Sequence, residues 1–106
     1  MKIYLSGKVT GEEYAQTCLK FKKYEVKLQA LGHEVVNPVS HIKSTAEWSD
    51  AMKQAIVLMM ACDTIFLIED WINSTGAKIE FELAYKLKYH ILTPNDLDFL
   101  EHLKEN

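Results

Sequence analysis

The chain has 106 residues, 48% of them hydrophobic and 25% charged, with a formal net charge of −3. That suffices for one packed core, expected as a single domain over residues 1–106, and the mildly acidic balance argues against extended nucleic acid as a partner, which needs a basic face. No apolar run approaches the roughly 20 residues that cross a bilayer, and the start MKIYLSG is too short for a signal peptide, so the expected setting is cytoplasmic with no membrane partner.

Residues 2–6 (KIYLS) suit a short strand, and Gly7 opens a turn. Thr10 and Glu13 stand at capping-box spacing, ahead of Tyr14, Cys18, Phe21, Tyr24, Leu28 and Leu31 at helical spacing. Gly32 is placed to end that helix in a left-handed cap, and residues 33–37 (HEVVN) read as a second strand closed by Pro38. Residues 38–43 read as a loop. Ser44 and Glu47 repeat the capping-box spacing before an apolar stripe at Trp48, Met52, Ala55, Ile56 and Met59. After Asp63, residues 64–68 (TIFLI) form a continuous apolar run that suits a strand buried on both faces. A further helix begins near Gly76 and runs to about Lys88. Residues 90–92 form a short fourth strand, and Pro94 and Asn95 open a last helix carrying Leu97, Leu100 and Leu103.

Strands alternating with helices predict a small flavodoxin- or Rossmann-like α/β/α sandwich. Its parallel sheet would have four to five strands, with right-handed crossovers and helices on both faces. Ligands in such folds bind at the carboxyl ends of the strands, near the switch in strand order, which selects residues 6–11, 37–44 and 69–77.

The first of these loops reads Ser6, Gly7, Lys8, Val9, Thr10, Gly11. Two glycines let a backbone approach a ligand closely, and amides at the following helix start favour an anion; a plain turn accounts for them equally well. The spacing is not that of a Walker loop. In the third loop Ser74, Thr75, Gly76 and Ala77 lead into a helix N-terminus, where free amides and the helix dipole favour negative charge. A capping serine explains Ser74 without any ligand.

Glu80 fits no such bland account. At about 100° per residue, Ile79, Leu83, Ala84 and Leu87 share one helix face, Lys78, Glu82 and Lys86 the opposite one, and Glu80 falls within the apolar face. A carboxylate there is costly unless it is paired or faces a cleft, so it is expected to look into a ligand site. Tyr4 lies on the first strand, where a buried tyrosine is ordinarily core. Of the histidines, His33 and His90 read as strand starts, His102 as surface, and His41 falls in a candidate ligand loop. Cys18 and Cys62 read as buried, reduced thiols; no metal site or cofactor is expected.

Several stretches together resemble the nucleoside 2-deoxyribosyltransferase superfamily, which includes the 2′-deoxynucleoside 5′-monophosphate N-glycosidases. They are YLSGKVTG, GHEVVNP, WSDAMK, CDTIFLIEDW and STGAKIEFELA, running from residue 1 to about residue 94. The resemblance is nearest to a group of small bacterial and phage proteins within the superfamily, and its most specific parts are the last block and the Asp-Trp pair before it.

The resemblance implies an enzyme that cleaves or transfers at the N-glycosidic bond of a nucleoside or its 5′-monophosphate. Glu80 matches the family nucleophile and Tyr4 a tyrosine that orients it. Six residues before the nucleophile, transferases carry an aspartate for the 5′-hydroxyl and monophosphate hydrolases a serine for the 5′-phosphate; the residue here is Ser74. An aspartate would repel a phosphate, whereas a serine with helix amides would accept one. Gly7, Lys8, Gly76 and Ala77 would complete that cradle beside Ser6, and Trp48 or Trp71 would either stack on the base or pack in the core. The family aspartate eight residues before Asp63 is Ala55 here, with Asp50 too far upstream to replace it and Asp63 itself structural. That loss favours a competing reading, a non-catalytic nucleotide binder. Tyr85 and Tyr89, read as exposed, would instead fit an accessory subunit. The resemblance also implies a homo-oligomer, since family sites are closed by a neighbouring subunit.

Overall fold

The computed structural model describes residues 1–105. Its strands β1 (Lys2–Ser6), β2 (Glu34–Val36), β3 (Thr64–Leu67) and β4 (His90–Leu92) form one sheet in the order β2-β1-β3-β4, every neighbouring pair parallel. Parallel neighbours need crossovers, which α1 (Tyr14–Ala30), α2 (Pro38–His41), α3 (Trp48–Met60) and α4 (Thr75–Lys86) supply, and α5 (Pro94–Glu105) follows the last strand. The architecture is the expected flavodoxin- or Rossmann-like sandwich, with four strands. No helix among the described residues is long and apolar enough to cross a membrane.

Alternation along β1 and β3 sorts side chains into two cores. Ile3, Leu5, Phe66 and Ile68 face α1 and α5, meeting Phe21, Leu28 and Leu97. Tyr4, Ile65 and Leu67 face α3 and α4, meeting Ala55, Met59 and Ala84. A fully buried side chain such as Phe21 or Leu28 contributes about 2 kcal/mol. The inner strands are buried on both faces, whereas the edges β2 and β4 are three residues each, with Glu34 and His90 exposed.

Several local expectations are corrected. The Thr10–Glu13 box does not form; Glu13 is itself the cap, accepting from the Ala15 and Gln16 amides at 3.1 and 3.0 Å. The Ser44–Glu47 box is likewise absent, since Glu47 is the N-cap of α3 and makes no side-chain cap bond. Residues 38–41, read as loop, are the short helix α2: Pro38 holds its first turn and the Asn37 side chain accepts from the Val39 amide at 3.0 Å. α4 stops at Lys86, two residues before the expected end. Lys88 takes a left-handed φ of 63° there, with the Tyr89 amide donating to the Ala84 carbonyl, the arrangement Gly32 makes after α1 at φ 92°. Cys62 is buried, but Cys18 is only half-buried.

Candidate active site

The chain order of the sheet reverses between β1 and β3, so the loops leaving those strands diverge and open a crevice. A cavity of about 640 Å³ lies there, within the range of small-molecule sites. Its walls are the loop after β1, the α2–α3 segment, one face of α3 and the first turns of α4.

Glu80 borders this cavity and is 5% exposed. Successive residues of a strand point to opposite faces, so Tyr4 and Ser6 both turn toward α3 and α4, and α4 lays Glu80 over them. The Tyr4 hydroxyl donates to Glu80 Oε2 at 2.6 Å, and the Ser6 hydroxyl donates to Oε1 at 2.7 Å. No ion pair among the described residues reaches this carboxyl. Burial pushes it up to about 7, against the two hydroxyl hydrogen bonds that favour the charged form. Tyr4 is raised well above the ordinary tyrosine range, first by burial and then by Glu80, so it stays a donor. The apolar face expected for α4 is displaced, however. Ala77, Glu80 and Ala84 are its buried residues, while Ile79 is 40% and Leu87 50% exposed.

At the head of α4, Ser74 is the N-cap, and its oxygen accepts from the Ala77 amide at 3.1 Å. That commits the Ala77 N–H but leaves the serine proton free, and the amides of Thr75 and Gly76 have no intrahelical acceptor. Ser74, Gly76 and Ala77 all border the cavity. A Cβ on Gly76 would stand 3.0 Å from Met52 Sδ, so the absent side chain lets α3 approach α4.

The first loop is organised differently from the cradle expected of it. A Cβ on Gly7 would lie 2.9 Å from Ile68 Cβ and 3.2 Å from Asp70 Oδ1, so the close approach that demands glycine is to the end of β3. The Lys8 ammonium turns to Glu12 at 3.9 Å and does not border the cavity; the lysine that does is Lys43. Ser6 reaches the site only through Glu80. Trp48 and Ala55 line the cavity, whereas Trp71 packs on Phe81 with ring centroids 4.8 Å apart. His41 is exposed, outside the lining, as is Asp50. Asp63 lies at the amino end of β3, away from the site, accepting from the Thr64 hydroxyl and the Lys2 amide at 2.7 and 3.2 Å. Tyr89 is half-buried, its hydroxyl donating to the Met59 carbonyl at 2.7 Å, which leaves Tyr85 as the exposed aromatic of that region.

Sequence reasoning selected the loops that hold Val9 and Lys43 without giving either a role, and missed Met52 as lining and the contacts that Lys20 and Asp70 make to the first loop. The signal within reach was the Asp-Trp pair, which the motif comparison singled out without a role.

Residues 1–93 match a family described as a domain of unknown function (DUF4406). Among solved structures, the chain is similar to a 2-deoxyribosyltransferase from the psychrotolerant bacterium Bacillus psychrosaccharolyticus. The TM-score is 0.67 at 22% identity, covering 88% of this chain and 71% of that one, and the likeness is one of fold. No curated protein matches the sequence.

Proposed function

The chain belongs to the DUF4406 family, and from that premise we propose that it is an enzyme of N-glycosidic bonds, acting on nucleoside 5′-monophosphates through Glu80. The observation that carries this reading is a buried carboxyl at the wall of a ligand-sized cavity, with both oxygens held by hydroxyl donors and no cation beside it. A carboxylate so held is aimed and kept from collapsing into an ion pair. The sequence resemblance and the fold of a 2-deoxyribosyltransferase support the same chemistry.

In this reaction an ionised Glu80 oxygen attacks C1′ of the sugar. The N-glycosidic electron pair leaves with the base, which takes up a proton, and a glycosyl ester remains on Glu80. Water then attacks C1′, the C1′–O bond to Glu80 breaks, and the free sugar phosphate leaves; a second base in place of water gives transfer. Tyr4 and Ser6 fix the carboxylate. The Ser74 hydroxyl with the Thr75 and Gly76 amides receives the 5′-phosphate at a helix N-terminus. Lys43 replaces Lys8 as the cation of the cavity, and Trp48 offers the face for the base. The whole chain acts as one cytoplasmic domain in a homo-oligomer, which sedimentation would reveal as a species heavier than 12.2 kDa.

The test is chromatographic detection of free base after incubation with each nucleoside and each 5′-monophosphate, ribo and deoxy. Release from monophosphates is the expected result. Release from nucleosides alone would remove the phosphate role of Ser74 and keep the reaction. A second reading, a nucleotide binder without turnover, is favoured by Ala55, which puts a methyl group in the cavity wall where the resembling enzymes carry an aspartate. Tight binding without base release would establish it.

A further inference from the structure

The Asp-Trp pair, Asp70 and Trp71, has no part in the reaction above, yet Asp70 meets the loop that walls the cavity. Its Oδ1 accepts the Lys8 amide at 3.0 Å, and its Oδ2 accepts from the Lys20 ammonium. Lys20 in turn donates to the Lys8 carbonyl at 2.8 Å. Both polar backbone groups of Lys8 are therefore gripped, the N–H by an anion and the C=O by a cation, and the two grips are paired with each other. Their side chains are only 24% and 20% exposed, which limits screening by solvent. Beyond Lys8 the backbone bond of the loop is local, from the Glu12 amide to the Val9 carbonyl, and Gly11 turns at φ 83°. Val9, Thr10 and Gly11 border the cavity.

We propose that Lys20 and Asp70 are positioning residues, an ion pair closed around Lys8 that fixes the Gly7–Gly11 loop as a cavity wall in register with Glu80. The adjacent Trp71 supplies the second half of the device. It packs on Phe81, the residue after Glu80 in α4, so the Asp-Trp pair ties the loop and the carboxyl-bearing helix to the same short segment after β3. This inference rests on the cavity being the substrate site.

Lys20→Met removes the cation and keeps the stem; Lys20→Arg keeps a cation able to bond both Asp70 and the Lys8 carbonyl. A loop that touches bound substrate away from the reacting atoms contributes equally to ground and transition states. Its loosening is therefore expected to raise KM about tenfold with kcat within about twofold, and Lys20→Arg to return KM to within about threefold of wild type. Circular dichroism establishes that each variant is folded, and Asp70→Asn, which keeps an acceptor for the Lys8 amide, gives the same test from the other side of the pair. An unchanged KM in folded Lys20→Met, or a fall in kcat with KM unmoved, would overturn the proposal. If wild type binds a 5′-monophosphate without releasing base, the reaction reading fails alone. The clamp is then read by calorimetry as a Kd about tenfold weaker in Lys20→Met, and equal affinity would overturn it. A wild type that neither binds nor cleaves any nucleoside or 5′-monophosphate would overturn both.

Discussion

Glu80 holds a proton that an unfolded chain would have released. Its carboxyl titrates near 7 in the folded protein because burial penalises the charge, against about 4.3 in an exposed glutamate. Between those values the native state binds the proton and the unfolded state does not, so the stabilisation is complete below about pH 4 and is lost as pH rises through about 7, about 3–4 kcal/mol in all. Glu80→Gln has no proton to lose there. The unfolding free energy of wild type, measured in urea against Glu80→Gln, is expected to fall by about that amount between about pH 4 and about pH 8, and a constant difference would show that the carboxyl is not desolvated. Tyr4 acts in the opposite direction, since its hydrogen bond favours the charged form. Tyr4→Phe should therefore shift the rise of base release with pH to higher pH, by about one unit, a shift visible in a pH–rate profile. Glu80 was legible in the sequence because a lone carboxylate on an apolar helix face is conspicuous on a wheel. The Tyr4 and Ser6 bonds to it span 76 and 74 residues, and periodicity carries no information about such pairs.

At the scale of elements, two of the three glycines that border the cavity, Gly7 and Gly76, answer to different neighbours. Gly7 is pressed against Ile68, whose side chain is fully buried and has nowhere to move. Gly76 meets Met52 Sδ, the flexible part of a half-buried side chain. Gly7→Ala is expected to cost about 1–3 kcal/mol by overpacking, while Gly76→Ala stays within about 1 kcal/mol of wild type because alanine recovers helix propensity. Thermal denaturation of the two variants side by side checks this, and equal losses would contradict it. The sequence pointed to both glycines and left a plain turn open at Gly7, because loop composition cannot distinguish close approach by a substrate from close approach by a neighbouring strand. Helix ends were read less well than helix existence for a related reason. Thr10 and Ser44 have capping chemistry at capping spacing, yet the chain enters α1 and α3 later, at Glu13 and Glu47. Asn37 and Pro38 carried the signature of a cap and first turn, but the helix they start is four residues long, too short to show a period.

At the scale of the molecule, the alternation of strands and helices was enough to predict the parallel sheet and the carboxyl edge at which a site would form, because crossover handedness and strand pairing leave few other solutions. What it could not supply was the lining of the cavity. Lys43, Met52 and Val9 come from separate segments and meet only once α3 has packed against α4 and the first loop has been tied to Asp70. The resulting cavity brings a buried carboxyl, an uncommitted serine proton at a helix N-terminus and an exposed tryptophan together within about 640 Å³. Ala55 puts a methyl group in its wall, and in the proposed reaction Glu80 supplies the covalent step. Base release from the preferred 5′-monophosphate, followed from about pH 5 to pH 9 for wild type and Glu80→Gln, tests that claim most directly. A wild-type rate that rises with pH through about 7, with Glu80→Gln at least about a thousandfold slower throughout, is the predicted result. Release by Glu80→Gln within about tenfold of wild type would contradict it and remove Glu80 from the chemistry.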